Sequence, residues 1–319
     1  MNEFEIIRKY LQKLSLSNKY SFNLNDDVFF DKKRKLVVSV DTYNEGIHFL
    51  NFHLPNLVIK KIIRSSISDL ICKGVKPMYY FISAAGTKGH FTKKNLRLIS
   101  QSLLKEQKKY NLLLSGGDTT YSKSLSFSVT TIGFTNDIVK RNNASINDDI
   151  YVTGNIGDSF MGLNIIKNKI RLKGNQKKYF INKFYCPELP YKLTEKILII
   201  ANSSIDVSDG LFTDLKRMIN NQKLSFELYL DKIPTSNKLN IYLKKHKKKK
   251  IDYVFNGDDY QILFTSPKKN RNLINSISIK TNHKITLIGQ INKNTKKNRV
   301  LIGKKEQILP KSVGYSHKF

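Results

Sequence analysis

Acidic residues are scarce in this chain of 319 residues: 25 Asp and Glu stand against 56 Lys and Arg, a formal charge of +31. Cysteine is scarcer still. The two present, Cys72 and Cys186, have no motif spacing, which argues against a disulfide framework or a zinc site. No run approaches the roughly 18 apolar residues of a membrane span, so no membrane partner is expected. Met1-Asn2-Glu3-Phe4-Glu5 carries neither the basic nor the apolar region of a secretory leader, and we expect a soluble, cytoplasmic protein. Nucleophile-and-base machinery is missing too: there is no Gly-x-Ser-x-Gly elbow, no His-Glu-x-x-His and no partner for either cysteine. A Walker A loop is absent, because its nearest match, Gly157 to Gly162, continues with Leu163 and Asn164 instead of Lys and Ser or Thr.

What is present begins with enough material for a core. A hydrophobic content of 40%, with 18 Phe and 16 Tyr, excludes global disorder, and the length suits two α/β domains. The basic excess is spread along the chain, as in a composition drifted by AT-rich coding. Its one dense run, Lys244 to Lys250, follows the turn-rich Pro234-Thr235-Ser236-Asn237 and reads as a solvated helix face or loop. With no aromatic RNA-binding signature or finger spacing beside it, no nucleic-acid partner is expected. The charge would still steer small anionic substrates.

Periodicity places strands at 36–40, ending at Asp41, and at 78–83, 112–114 and 125–133. A helix is expected over 57–72, with Val58, Ile62, Ile63 and Leu70 at helical spacing and Gly74 and Pro77 ending it. A second helix starts at the cap Thr92, with Leu96, Ile99, Leu103 and Tyr110 on one face. Gly116-Gly117-Asp118 reads as a turn. The polar stretch 136–149 sets a boundary, giving domains 1–137 and 138–319. The second half has strands at 150–153, around Ile205 (ending at Asp206), and at 226–230, 262–265 and 285–291, with helices from Asp158 and over 212–220. Gly154 and Gly157 form a strand-to-helix turn whose N–H groups could hold an anion. Strands alternating with helices indicate an α/β protein with mixed sheets.

Five loop-like stretches hold a disproportionate share of the scarce carboxylates. They are Asn25-Asp26-Asp27, Ser39-Val40-Asp41-Thr42, Ser68-Asp69-Leu70, Gly116-Gly117-Asp118-Thr119-Thr120 and Asp206-Val207-Ser208-Asp209-Gly210. Taken singly, each has an ordinary explanation: a Gly-Asp turn at Asp118, a helix cap at Asp206 to Asp209, a strand end at Asp41. Taken together they suggest a divalent-cation site, since gathered like charges need positive charge between them and hard cations prefer oxygen ligands. His48, in Glu45-Gly46-Ile47-His48-Phe49, lies near one of them and is a candidate ligand contact. The missing base fits a phosphate nucleophile, which is already largely ionised at pH 7. Phosphoryl transfer then depends on positioning and on metals that offset anionic repulsion.

In order and spacing these motifs resemble the bacterial thiamine-monophosphate kinase family, in the superfamily of aminoimidazole ribonucleotide synthetase and selenophosphate synthetase. The resemblance runs from Glu3-Phe4-Glu5-Ile6-Ile7 through the five acidic stretches, Tyr151-Val152-Thr153-Gly154 and Gly257-Asp258-Asp259-Tyr260 to Gly314-Tyr315. It implies a two-domain aminoimidazole ribonucleotide synthetase-like fold, a dimer formed through the N-terminal sheet, and transfer of the ATP γ-phosphoryl group to thiamine monophosphate. It further implies several Mg²⁺ ions held by Asp27, Ser39, Val40 (through its carbonyl), Asp41, Asp69, Asp118, Asp206 and Asp209. ATP would contact Gly117, Asp118, Arg141 and Ser208, and the acceptor His48, Asp258 and Tyr315. Departures from the family pattern are Asn25 for Gly, Val40 for Thr, Ser66-Ile67-Ser68-Asp69 for Asn-Leu-Ser-Asp, and Asp258 and Gln261 for two Glu. Two alternatives stand beside this reading: another ATP-dependent enzyme of the superfamily, and, from the charge alone, a basic nucleic-acid-binding protein.

Overall fold

The computed structural model describes residues 1–293, 297–310 and 313–317. A short helix α1 (Glu3–Ile6), opened by an Asn2–Glu5 capping box, precedes β1 (Phe29–Asp31). β2 (Leu36–Asn44) runs past Asp41, the end expected from composition, because β5 (Ser126–Phe134) pairs with it over its whole length. Along β2, Val37, Ser39 and Tyr43 are buried while Val40 and Thr42 are exposed, so Asp41 shares the inner face by strand alternation. α2 (Pro55–Cys72) starts with proline at its first position, where the missing N–H costs nothing. β3 (Pro77–Gly86), α3 (Lys93–Tyr110), capped by the Thr92 hydroxyl, and β4 (Leu113–Tyr121) complete a sheet of order β1-β2-β5-β3-β4.

The Gly116-Gly117-Asp118 run is not a turn. It lies within β4, paired in parallel with β3, Gly117 opposite Ile82 and Asp118 opposite Ser83. A Cβ on Gly117 would sit 1.9 Å from the Ile82 carbonyl oxygen, so the glycine serves close strand approach. The same register lays Val40, Thr130 and Phe81 in one row on the outer face, with Thr42, Ser128, Ser83 and Asp118 in the next such row. Val40 is 65% exposed and Phe81 37%, and every residue of β4 is exposed.

The remaining elements are β6 (Asp149–Thr153), α4 (Asp158–Ile166), α5 (Gly174–Tyr185), α6 (Thr194–Ile200), β7 (Ser203–Asp206), α7 (Leu211–Met218), β8 (Leu224–Tyr229), α8 (Asn237–Lys245) and α9 (Ile251–Val254). β9 (Ile262–Ser266), α10 (Arg271–Thr281), β10 (Ile285–Lys293), β11 (Arg299–Ile302) and β12 (Lys305–Glu306) follow. The second sheet has order β12-β11-β8-β10-β6-β9-β7, antiparallel except for the β8–β11 pair. α2 is buried nearly all round because it packs between the two halves: Val58, Ile62 and Ile67 share one apolar cluster with Leu193, Ile197 and Phe264. Lys244 to Lys249 are exposed on the last turn of α8 and the loop beyond, as expected of a solvated run. Among the described residues no helix is long and apolar enough to cross a membrane.

Candidate active site

Four elements end around one cavity of about 510 Å³. Asp41 comes from the inner face of β2, Asp69 from the last turn of α2, Asp206 from the end of β7 and Asp27 from the segment before β1. Hydroxyls hold the carboxylates in place: Ser39 Oγ donates to Asp69 Oδ2 and Ser68 Oγ to Asp206 Oδ2, both at 2.5 Å, and Ser208 Oγ donates to Asp206 Oδ1 at 3.2 Å. Burial and the neighbouring Asp206 push Asp41 up to about 7. Burial and Asp27 push Asp206 up to about 6, and burial with Asp41 and Asp206 raises Asp69 well above the carboxylate range. Three acids thus face one space with too little positive charge between them.

The rim differs. Lys73 Nζ lies 2.9 Å from Asp26 Oδ1 and 2.7 Å from Asp27 Oδ2, and Arg141 Nη1 lies 3.5 Å from Asp27 Oδ1. Burial opposes charge on Asp27, but Arg141 and Lys73 outweigh it and hold the carboxyl below its usual range. Arg141 is anchored by its backbone N–H, which donates to Asp26 Oδ2 at 2.9 Å, and its buried Nε–H has no acceptor among the described residues. That orphaned donor at a cavity wall suits an anionic oxygen. On the other side Asp209 pairs with Arg217, whose guanidinium lies 4.2 Å from the Phe4 ring. Asp214 braces this loop, accepting the N–H groups of Asp209 and Gly210 at 3.1 and 2.8 Å.

At the far end of the cavity, the segment 257–260 lies directly on the Asp206–Gly210 loop. A Cβ on Gly257 would stand 1.9 Å from the Ser208 carbonyl oxygen, so only glycine permits the approach. Asp258 N–H donates to Ser208 O and Tyr260 N–H to Val207 O, each at 2.8 Å, with Asp258 and Tyr260 both left-handed at φ 69° and 50°. The Asp258 carboxylate accepts from Lys61 Nζ at 2.5 Å and the Tyr260 hydroxyl at 3.2 Å, both through Oδ1. Lys61 is 2% exposed and lies 3.6 Å over the Phe184 ring. Burial lowers Lys61, an effect only partly offset by Asp258. His48 Nδ1 accepts the Asn44 N–H at 3.0 Å, which leaves the proton of the neutral ring on Nε2. Burial, reinforced by His317, lowers His48 to about 4, so it is a neutral donor at pH 7. The Tyr315 N–H bonds Asp209 O at 2.9 Å and places that tyrosine at the cavity mouth.

Asp27, Val40, Asp41, Asp69, Asp206, Asp209, Arg141, Ser208, His48, Asp258 and Tyr315 therefore line one cavity, with Ser39 just behind. Gly117 and Asp118 do not: they lie on exposed β4. At the N-terminus of α4 the Gly157 N–H is taken by the chain's own Asp259 carboxyl group, which accepts it at 2.8 Å. Lys61, Lys73, Asp214 and Arg217 were not anticipated. Their only sequence signal is charge within, or directly after, helical stretches that carry apolar residues.

Two family models cover most of the chain: AIR synthase related protein, N-terminal domain, at 25–135, and its C-terminal domain at 146–302. The thiamine-monophosphate kinase of Buchnera aphidicola subsp. Schizaphis graminum is 33% identical, covering 99% of this chain and 98% of its own. That of Haemophilus influenzae is 30% identical, covering 92% and 90%. The structure of AaThiL complexed with AMPPCP and TMP superposes with a TM-score of 0.85 at 28% identity, over 99% of this chain and 97% of its own. The thiamine monophosphate kinase structure from Aquifex aeolicus matches with a TM-score of 0.81 at 28% identity, over 97% and 98%. With these matches and the acid-lined cavity in one fold, the chain belongs to the thiamine-monophosphate kinase family of AIR synthase related proteins.

Proposed function

We infer that this chain transfers the γ-phosphoryl group of ATP to thiamine monophosphate. An acceptor phosphate oxygen bonds to Pγ, the bond from Pγ to the β–γ bridging oxygen breaks, and thiamine diphosphate and ADP leave. The observation that carries this reading is the cluster of Asp41, Asp69 and Asp206, under-compensated in charge, around one cavity. The structure of AaThiL complexed with AMPPCP and TMP supports the same pair of ligands here.

The donor set is all hard oxygen, which fits Mg²⁺. Among the described residues no three acidic or imidazole groups converge tightly enough to hold an ion unaided, so phosphate oxygens and water would complete the coordination. Asp41, Asp69 and Asp206, with Ser39 and the Val40 carbonyl, would hold the ions, while Asp27 and Asp209 are ion-paired within the chain. When bound, Mg²⁺ neutralises the phosphate oxygens of donor and acceptor so that the two anions can approach. The chain's own contribution is positioning: Arg141 would offer its Nε–H to a nucleotide phosphate, and Ser208 lines the same cavity. His48, through Nε2–H, with Asp258 and Tyr315, would orient the acceptor.

Gly117 and Asp118 enter through a homodimer. The outer face of the first sheet exposes Val40 and Phe81 beside Asp118, a surface suited to a second copy. In that arrangement Asp118 of one protomer completes the ATP and metal site of the other. The test of the function is ADP release with a panel of phosphorylated acceptors. The reading expects Mg²⁺-dependent release with thiamine monophosphate; turnover only on another acceptor would overturn the substrate assignment and leave the fold intact.

A further inference from the structure

Lys73 is an unusual residue to find where it is. It follows the last residue of α2, its side chain is fully buried, and its ammonium reaches three oxygens: Asp26 Oδ1 at 2.9 Å, Asp27 Oδ2 at 2.7 Å and the Ser204 carbonyl at 2.8 Å. Ser204 is tied in turn to the end of α2, its hydroxyl donating to the Cys72 carbonyl at 2.5 Å. A buried ammonium is costly unless matched by opposite charge, and here two carboxylates match it. Three oxygens within 3 Å of one cationic centre also describe what a small metal ion would collect at this rim.

We propose that Lys73 is a resident cation of the cradle: on Asp26 and Asp27 it takes the charge-compensating position a divalent ion would otherwise occupy. Asp41, Asp69 and Asp206 are then the carboxylates left for Mg²⁺. This rests on the metal-cradle reading and deepens it, because it says which of the gathered acids the ions do not need to satisfy.

The test is a Mn²⁺ titration of the full chain without nucleotide, followed by the electron paramagnetic resonance of free Mn²⁺, for the native protein, Lys73→Met and Lys73→Arg. The proposal expects Lys73→Met to bind an additional ion or to bind about tenfold more tightly, and Lys73→Arg, which keeps the charge, to stay within about threefold of native. Unchanged number and affinity in Lys73→Met would overturn it, as would equal changes in both variants. A Lys73→Met chain that folds only when Mn²⁺ is added supports the proposal. If it fails to fold in either condition, Asp27→Asn in the native background decides. Less than about threefold change in Mn²⁺ affinity supports a silenced Asp27, and a loss of about tenfold or more overturns it. A native chain that binds no Mn²⁺ would instead sink the cradle reading, and this proposal with it.

Discussion

The floor and the rim of the cavity are both built of aspartates, yet they hold their charge in opposite ways. On the floor, Asp69 and Asp206 receive hydroxyl hydrogen bonds, but they and Asp41 meet too little positive charge, and all three carboxyl groups are pushed towards the protonated form. On the rim, Asp26, Asp27 and Asp209 are paired with Lys73, Arg141 and Arg217. The difference shows that an acidic cluster is not uniformly a metal site. The fixed cations of the fold mark where the chain has already balanced its charge, and their absence marks where ions are needed.

The largest expected effect comes from the floor. Asp41→Asn and Asp206→Asn should each lower kcat by about a thousandfold or more while leaving the circular dichroism spectrum native, because the charge that draws the ions is gone. Near-native rates in both would end the distinction between floor and rim. Asp118 tests the comparison across protomers. Asp118→Asn should be almost inactive alone, but mixed in equal amounts with Asp41→Asn and allowed to exchange subunits it should recover about a quarter of native activity. Half the dimers then pair the two variants, and each such dimer has one intact site. A mixture that stays inactive would place Asp118 in its own protomer's site, and native activity in Asp118→Asn alone would put it outside the mechanism.

A smaller effect is expected at the acceptor end. Lys61→Met leaves Asp258 without its ammonium and should raise the KM for thiamine monophosphate about tenfold, with the KM for ATP little changed. Equal rises in both would show a general loss of structure instead. The smallest effect is on pH dependence. Without metal, Asp41 has a folded value of about 7 and Asp206 of about 6, both above the usual 3.8. Groups raised on folding favour the folded state below the unfolded value, so the metal-free protein should lose stability as pH rises from 4 to 7. Melting temperatures without divalent ions should fall over that window by a few degrees, with Mg²⁺ restoring them at neutral pH. A flat profile would mean the floor acids are compensated after all.

Much of this was legible in the chain. The strand carrying Asp41 and the helix carrying Asp69 follow from alternation and helical spacing, and ordered motifs named many of the residues that line the cavity. Gly116-Gly117-Asp118 misled because glycine pairs form turns in isolation, whereas here they let β4 lie close to β3. The strand of Asp41 ran longer than its composition suggested because pairing with β5 set its end. Lys61, Lys73 and Asp214 escaped notice for a different reason. A charged residue in or just after a helix reads as a solvated one until the partners that bury it are brought against it. Lys61 lies 197 positions from Asp258, and nothing local in the sequence joins them.

The most direct measurement is transfer of labelled γ-phosphate from ATP, followed side by side in the native chain and Asp41→Asn with and without Mg²⁺. The account predicts labelled thiamine diphosphate only from the native chain with Mg²⁺ and thiamine monophosphate present. Label transfer at an undiminished rate by Asp41→Asn, or by the native chain without any divalent ion, would contradict it.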